Sequence, residues 1–311
     1  MEPTPMSEAT YLVRHTTTYT YSEPAQQSHN LACLLPRDYS EQSLESYRLL
    51  LKPDPQWRHE WRDIYGNYRH AFSLSAPHEI LEVTLMAKIT RRLPPALNPA
   101  TPWEDSILPG GAQWASPSLI QREFRFPSPL LPALNKAGFD CEDCFAPGRP
   151  VLETLDAFMT RVHETFTYDP EATTTFTPLD DVYKKKAGVC QDFAHAAIAE
   201  LRRRGFAAGY VSGYLETVPP PGREKLRGAD ATHAWYAVYL PELGWVHFDP
   251  TNNTRAGLQH LITAWGRDYG DVAPLKGVLL GGGSHTVDVA VDVFSWPDQV
   301  PEDLKDVFKG E

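Results

Sequence analysis

A cysteine, a histidine and an aspartate stand in that order at positions 190, 233 and 249, each within a short run suited to nucleophilic chemistry. Cys190 follows Gly188 and Val189 and opens Gln191-Asp192-Phe193-Ala194-His195, which continues as an alanine-rich run to Arg204. Ala194, Ile198 and Leu201 recur at helical spacing and Gly205 supplies a left-handed stop, so the pattern predicts a helix with Cys190 in its first turn. Unpaired N–H groups and the positive dipole end favour a thiolate there, and one of those N–H groups can face a developing oxyanion.

The base would come from downstream. His233 begins Thr232-His233-Ala234-Trp235-Tyr236-Ala237-Val238-Tyr239, a run rich in aromatic and β-branched residues that predicts a buried strand. A second strand, Trp245-Val246-His247-Phe248, ends at Asp249, and Pro241 and Gly244 punctuate the gap. Two antiparallel neighbours joined by a tight loop would set Asp249 beside His233, fixing the tautomer and leaving the other ring nitrogen to hold the Cys190 proton. Asp230 lies near enough to be a rival carboxylate. His195 sits more than one helical turn beyond Cys190 and points poorly towards the thiol, and His247 shares a strand face with Asp249 in a structural role.

Taken together, the runs G-V-C-Q-D-F-A-H, T-H-A-W and W-V-H-F-D-P-T-N resemble the catalytic core of the transglutaminase-like superfamily of cysteine acyl-transfer enzymes, most closely its bacterial protease-like branch. The resemblance implies attack of Cys190 on an amide carbonyl, with His233 protonating the leaving amine and Asp249 orienting the imidazole. Gln191, Tyr168, Tyr183, Trp235 and Asn252 are candidates for a second oxyanion donor or for support. Water as acceptor gives a peptidase or amidase, the reading this branch favours, and an amine gives a protein-glutamine transglutaminase. A peptide-binding module with an unused triad is the reading from another class. A peptide or protein is the expected substrate. No cofactor and no metal are expected, and there is no D-x-D-x-D-G calcium loop.

The elements that must position these residues lie in an acyl-transfer core expected over 151–295, including a C-terminal strand. Residues 151–165 place Leu152, Leu155, Phe158, Met159 and Val162 on one helical face. Thr177 and Pro178 predict an N-cap and first-turn proline for a helix over 179–186, which ends in three lysines. A strand follows over 208–215. Residues 218–230, rich in proline, glycine and charge, arrive directly at His233 and suit a rim or lid. The cluster Arg267-Asp268-Tyr269 reads as an ion pair or a cap. Glycines 281 to 283 read as a turn into an alternating strand over 285–294, with an acidic tail or short helix over 296–311.

Residues 10–90 read as an antiparallel β domain, giving an α+β chain with a papain-like core. Strands are expected over 11–21, closed by Pro24, and over 28–35, 44–51, 57–62, 68–74 and 80–89, with Gly66-Asn67 as a turn. Arg14-His15-Thr16, Pro36-Arg37, Tyr65-Gly66-Asn67 and Pro77-His78 carry a resemblance to the N-terminal region that accompanies the bacterial core. Arg14, His15 and His78 are expected to be structural rather than groove-lining. Residues 91–150 form a proline-rich linker or excursion, with helical turns near 118–123 and 129–136.

The chain has 311 residues, 42% of them hydrophobic, which is enough for two packed cores. A net charge of −11 argues against a nucleic-acid binder and against an anionic membrane surface. Residues 1–9 are polar, and no segment reaches the roughly 18 to 20 apolar residues that cross a bilayer, so a soluble cytoplasmic protein without an export signal is expected. Four cysteines are too few for a disulfide scaffold and fit a reducing compartment. The Cys141-Glu142-Asp143-Cys144 pair reads as a loop feature. A zinc site joining it to Cys190 or His233 is the competing possibility.

Overall fold

The computed structural model describes residues 7–94, 99–107, 119–217, 230–305 and 307–308. Two antiparallel sheets dominate, and one very long strand organises the first. Strand β1, Glu8–Ala32, has β14 (His285–Ser295) and then β13 (Leu275–Gly281) along one edge, and β5 (His78–Arg92) and then β4 (Tyr68–Leu74) along the other. Strand β2, Gln42–Lys52, extends the sheet beyond β5, and β3, Trp57–Arg62, beyond β4.

Pro24 does not close β1. It lies where the pairing with β5 shifts register between Thr20 and Ala25, an irregularity that tolerates a residue without an N–H. The expected strands over 11–21 and 28–35 are therefore one element, and it includes Glu8 and Ala9. The C-terminal strand, expected with the core, belongs to this first sheet: Tyr11 pairs with Ser295 and Tyr21 with His285. Gly281, Gly282 and Gly283 all have positive φ and make the kink between β13 and β14, which run in the same direction along β1.

In the intervening stretch a 3-10 turn spans Trp103–Ser106, helix α1 spans Leu119–Glu123, and a second 3-10 turn spans Glu142–Phe145. Residues 129–136 are not helical, and Ser128 and Leu131 form an isolated bridge there. Cys141 and Cys144 are both buried in the core against Phe145 and Phe158.

Helix α2, Val151–Thr165, buries its expected face, including Leu152, Leu155, Phe158, Met159 and Val162. Strand β6 (Thr167–Tyr168) pairs in parallel with β7 (Ala187–Gly188), and helix α3, Leu179–Lys185, lies between them. Pro178 itself occupies the N-cap of α3, while Thr177 Oγ1 accepts the Thr174 N–H instead. Lys186 ends α3 in the left-handed conformation.

Helix α4, Cys190–Arg203, is the centre of the second core, with every residue from Asp192 to Leu201 buried. Ala194, Ala196, Ala197 and Ala199 let neighbouring elements approach closely on several sides. Beneath it lies an antiparallel sheet ordered β11 (Thr254–Arg255), β10 (Gly244–Asp249), β9 (Ala231–Leu240), β8 (Ala207–Leu215), β12 (His260–Gly266). Alternation in β9 sends Ala234, Tyr236, Val238 and Leu240 into the α4 core, and Trp235 and Ala237 into a second cluster with Val211 and Ile262. Short helices α5 (Tyr269–Val272) and α6 (Glu302–Lys305) follow β12 and β14. Among the described residues no helix is long and apolar enough to cross a membrane.

Candidate active site

Cys190 stands at the first position of α4, and the residues before it explain how the turn is held. The Asp192 carboxylate folds back to accept the Val189 N–H at 2.8 Å and the Thr173 hydroxyl at 2.6 Å. Gly188 makes room for this: a Cβ there would lie 2.3 Å from Asp192 Oδ2. Burial raises the Asp192 pKa, although both hydrogen bonds oppose that shift. Tyr168 is registered opposite Gly188 through the β6–β7 pair, which keeps its exposed ring close to the Cys190 sulfur.

Neighbouring strands bring His233 and Asp249 together. Phe248 pairs with Tyr236, so the end of β10 runs antiparallel towards the start of β9, where His233 stands. His233 Nε2 donates to Asp249 Oδ2 at 2.8 Å, and the side chains are 9% and 0% exposed. The Cys190 side chain lies close enough to the ring to push its pKa up. With Nε2 committed to the carboxylate, Nδ1 is the nitrogen left for sulfur. Burial lowers the His233 pKa, but Asp249 and Cys190 outweigh it and push it up to about 10, so the ring is an imidazolium at neutral pH.

Asp249 is fully satisfied. Oδ1 accepts the N–H groups of Thr251 (3.1 Å) and Asn252 (3.2 Å), and Oδ2 also accepts Asn252 Nδ2–H at 2.7 Å. A further donor to Oδ2 is His260 Nε2–H at 3.1 Å, from the first residue of β12. Burial raises the Asp249 pKa, yet these donors hold it far below the ordinary carboxylate range. His260 has no counterpart in the sequence expectations. Its only signal is a histidine eleven residues after Asp249, outside any of the three motifs.

The other candidates fall in several places. Asn252 supports Asp249 and lies 3.4 Å from His233 Nε2. The Trp235 ring packs against His233 at 5.9 Å, but its indole N–H donates to His247 Nδ1 at 3.2 Å. Gln191 Nε2 donates to Thr175 O, and the hydroxyl of the half-buried Tyr183 donates to Ala196 O. Asp230, the rival carboxylate, accepts from Thr217 and from the Val293 N–H, which ties the start of β9 to β14. His195 accepts the Tyr269 N–H and burial lowers its pKa to about 4; burial likewise lowers that of His247 to about 3. The rim or lid expected over 218–230 lies outside the described residues except for Asp230. Among those residues no three metal-ligating side chains come together, so Cys141 and Cys144 do not join Cys190 or His233.

The remaining expected residues lie outside the cluster. Asp268 caps α5, and Arg267 pairs with Asp271 at 2.8 Å. His15 bridges Thr17 and Tyr214, and Arg14 pairs with Asp292. Arg37 lies over the Trp265 ring at 3.2 Å and donates to Asn67 Oδ1 at 2.7 Å.

Residues 11–90 match the bacterial transglutaminase-like N-terminal region, and residues 141–250, which hold Cys190, His233 and Asp249, match the transglutaminase-like superfamily. An uncharacterized protein of Mycobacterium tuberculosis is 37% identical over 296 residues, covering 91% of this chain and 92% of its own. The chain belongs to the transglutaminase-like superfamily. Within that superfamily, a protein-glutamine gamma-glutamyltransferase of Pseudomonas aeruginosa is 35% identical over 92 residues, 29% of this chain and 14% of that protein. The transglutaminase-like fold itself is shared with a crystal structure from Cytophaga hutchinsonii, described as a "putative cysteine protease". It has a TM-score of 0.74 at 18% identity and covers 94% of this chain and 92% of that one.

Proposed function

We propose that the protein is a cysteine-dependent acyl-transfer enzyme that cleaves a peptide or amide bond through a thioester on Cys190. The observation that carries this reading is the Cys190 side chain beside His233, whose Nε2 is hydrogen-bonded to the buried Asp249 carboxylate. An imidazolium beside sulfur stabilises a thiolate, and the first turn of α4 adds its dipole and its free N–H groups.

In the first step the Cys190 sulfur attacks the carbonyl carbon and the carbonyl oxygen takes the negative charge. The Cys190 N–H is the donor aimed at that oxygen, and Tyr168, exposed and beside the sulfur, is the best-placed second donor. The C–N bond then breaks as His233 gives its proton to the departing amine. Water, deprotonated by the now neutral His233, attacks the thioester and releases the acid, restoring the thiolate and the imidazolium. The relative named as a protein-glutamine gamma-glutamyltransferase supports a second acceptor, in which an amine replaces water in this last step.

The test is the rate at which iodoacetamide labels Cys190 at neutral pH in the wild type and in His233→Ala, followed by intact mass and peptide mapping. Buried Cys33 and Cys141 serve as internal controls, because burial pushes both thiols up to about 11. Cys190 is expected to label far faster than either, and His233→Ala to lose that advantage. Equal rates would leave a peptide-binding module as the better account. An active thiol is then offered glutamine-containing peptides with and without a primary amine. The mass of the product identifies the acceptor.

A further inference from the structure

Asp249 has more partners than a carboxylate needs merely to orient one histidine, and the additional one is a second imidazole from a distant strand. His260 is 3% exposed. Its Nδ1 accepts the Gly257 N–H at 3.1 Å, which requires the neutral tautomer that carries its proton on Nε2. That proton is directed at Asp249 Oδ2, the same oxygen that receives His233 Nε2–H. The His260 ring also stands edge-on to Trp235, with centroids 5.2 Å apart, and Trp235 packs against His233.

The strand that delivers His260 is itself held from outside. Among the described residues β12 is the edge of the core sheet, with β8 as its one partner strand. Two side-chain amides of the N-terminal sheet region take the place of a partner strand. Gln42 accepts the Ile262 N–H at 2.9 Å and donates to Ile262 O at 2.8 Å. Asn67 accepts the Trp265 N–H at 3.0 Å and donates to Trp265 O at 2.8 Å. The Arg37 N–H adds a bond to Ile262 O.

We propose that His260 is a positioning residue that locks the Asp249 carboxylate in line with His233, and that the N-terminal sheet region acts on the active site by fixing the register of β12. This deepens the acyl-transfer reading and rests on it. A carboxylate oxygen shared between two N–H donors on different strands cannot rotate about its C–C bond without breaking one of them. Without His260, Oδ2 is held on that side by Asn252 alone, the line from Asp249 to His233 loosens, and Nδ1 no longer stays aimed at sulfur.

The experiment compares full-length wild type, His233→Ala, His260→Ala and His260→Gln. For each, the rate of Cys190 labelling is measured, together with the downfield proton resonance of the His233–Asp249 hydrogen bond. Loss of the partner that orients a metal-bound histidine typically costs about 10- to 100-fold, and the same scale is taken here for the partner of Asp249. His260→Ala is therefore expected to slow labelling by roughly 10-fold or more and to broaden or shift the resonance. His260→Gln keeps one N–H donor and is expected to recover most of both. Wild-type rates in both His260 variants would overturn the proposal, as would equal losses in both with a folded chain, because a purely packing role gives no rescue by a donor. If the wild type labels no faster than His233→Ala, the acyl-transfer reading is the one that falls. The resonance then still decides whether His260 holds Asp249 in place.

Discussion

At neutral pH His233 carries a proton that it would give up if exposed, and this links the chemistry of the site to the stability of the chain. Its pKa rises on folding from about 6.5 to about 10. A group raised in this way adds stability that is complete below the unfolded value and is lost as pH rises through the folded one. The wild type is therefore expected to lose thermal stability steadily between about pH 6.5 and pH 10, and His233→Gln to show a flatter profile there, as read by unfolding midpoints across that interval. Asp249 has the opposite sign. Its depressed carboxyl adds stability above the unfolded carboxylate value that is lost only as pH falls well into the acid range.

At the level of single elements, the site depends on strands and turns that allow unusually close approach. Gly213 of β8 is opposite His233, and a Cβ there would lie 2.2 Å from Leu261 O and 2.5 Å from the Trp235 ring. One contact is backbone and the other is a packed indole, so neither moves easily. Gly213→Ala is expected to destabilise the protein by about 1–3 kcal/mol and to slow Cys190 labelling, because Trp235 must shift and it packs on both His233 and His260. Denaturant midpoints together with labelling rates check both parts. Gly188 plays the same role in β7, admitting the Asp192 carboxylate that caps the Cys190 turn.

Across the whole molecule, the two sheets are bound by polar side chains as much as by apolar packing. Tyr214 and Leu261 of the core are buried in the hydrophobic cluster of the first sheet, but the register of β12 is set by Gln42 and Asn67. Gln42→Ala would strand the buried N–H of Ile262 and leave its carbonyl to the Arg37 N–H, and an unsatisfied buried N–H costs about 1–3 kcal/mol. The expected result is a thermal midpoint lower by several degrees and slower labelling of a cysteine far away in sequence, measured on the same sample. Binding of the chain ends into one sheet adds to this coupling, since β1 lies between β5 and β14.

Local pattern carried much of this protein. The spacing of apolar residues marked α2 and α4, Gly188 and Gly205 bracketed the Cys190 helix, and alternation marked most strands, because each of these signals lies within a few residues of what it specifies. The three motifs likewise pointed to Cys190, His233 and Asp249. Only tertiary structure separated Asp249 from Asp230, because both lie at strand ends and the choice depends on which neighbouring strand each one meets. It also directed the Trp235 and Tyr183 donors to His247 and Ala196, merged two expected strands through Pro24, and moved the C-terminal strand from the core to β1. His260, Gln42 and Asn67 were illegible for the same reason. Their meaning rests on hydrogen bonds to residues 11, 220 and 198 positions away, and no local periodicity encodes a partner at that distance.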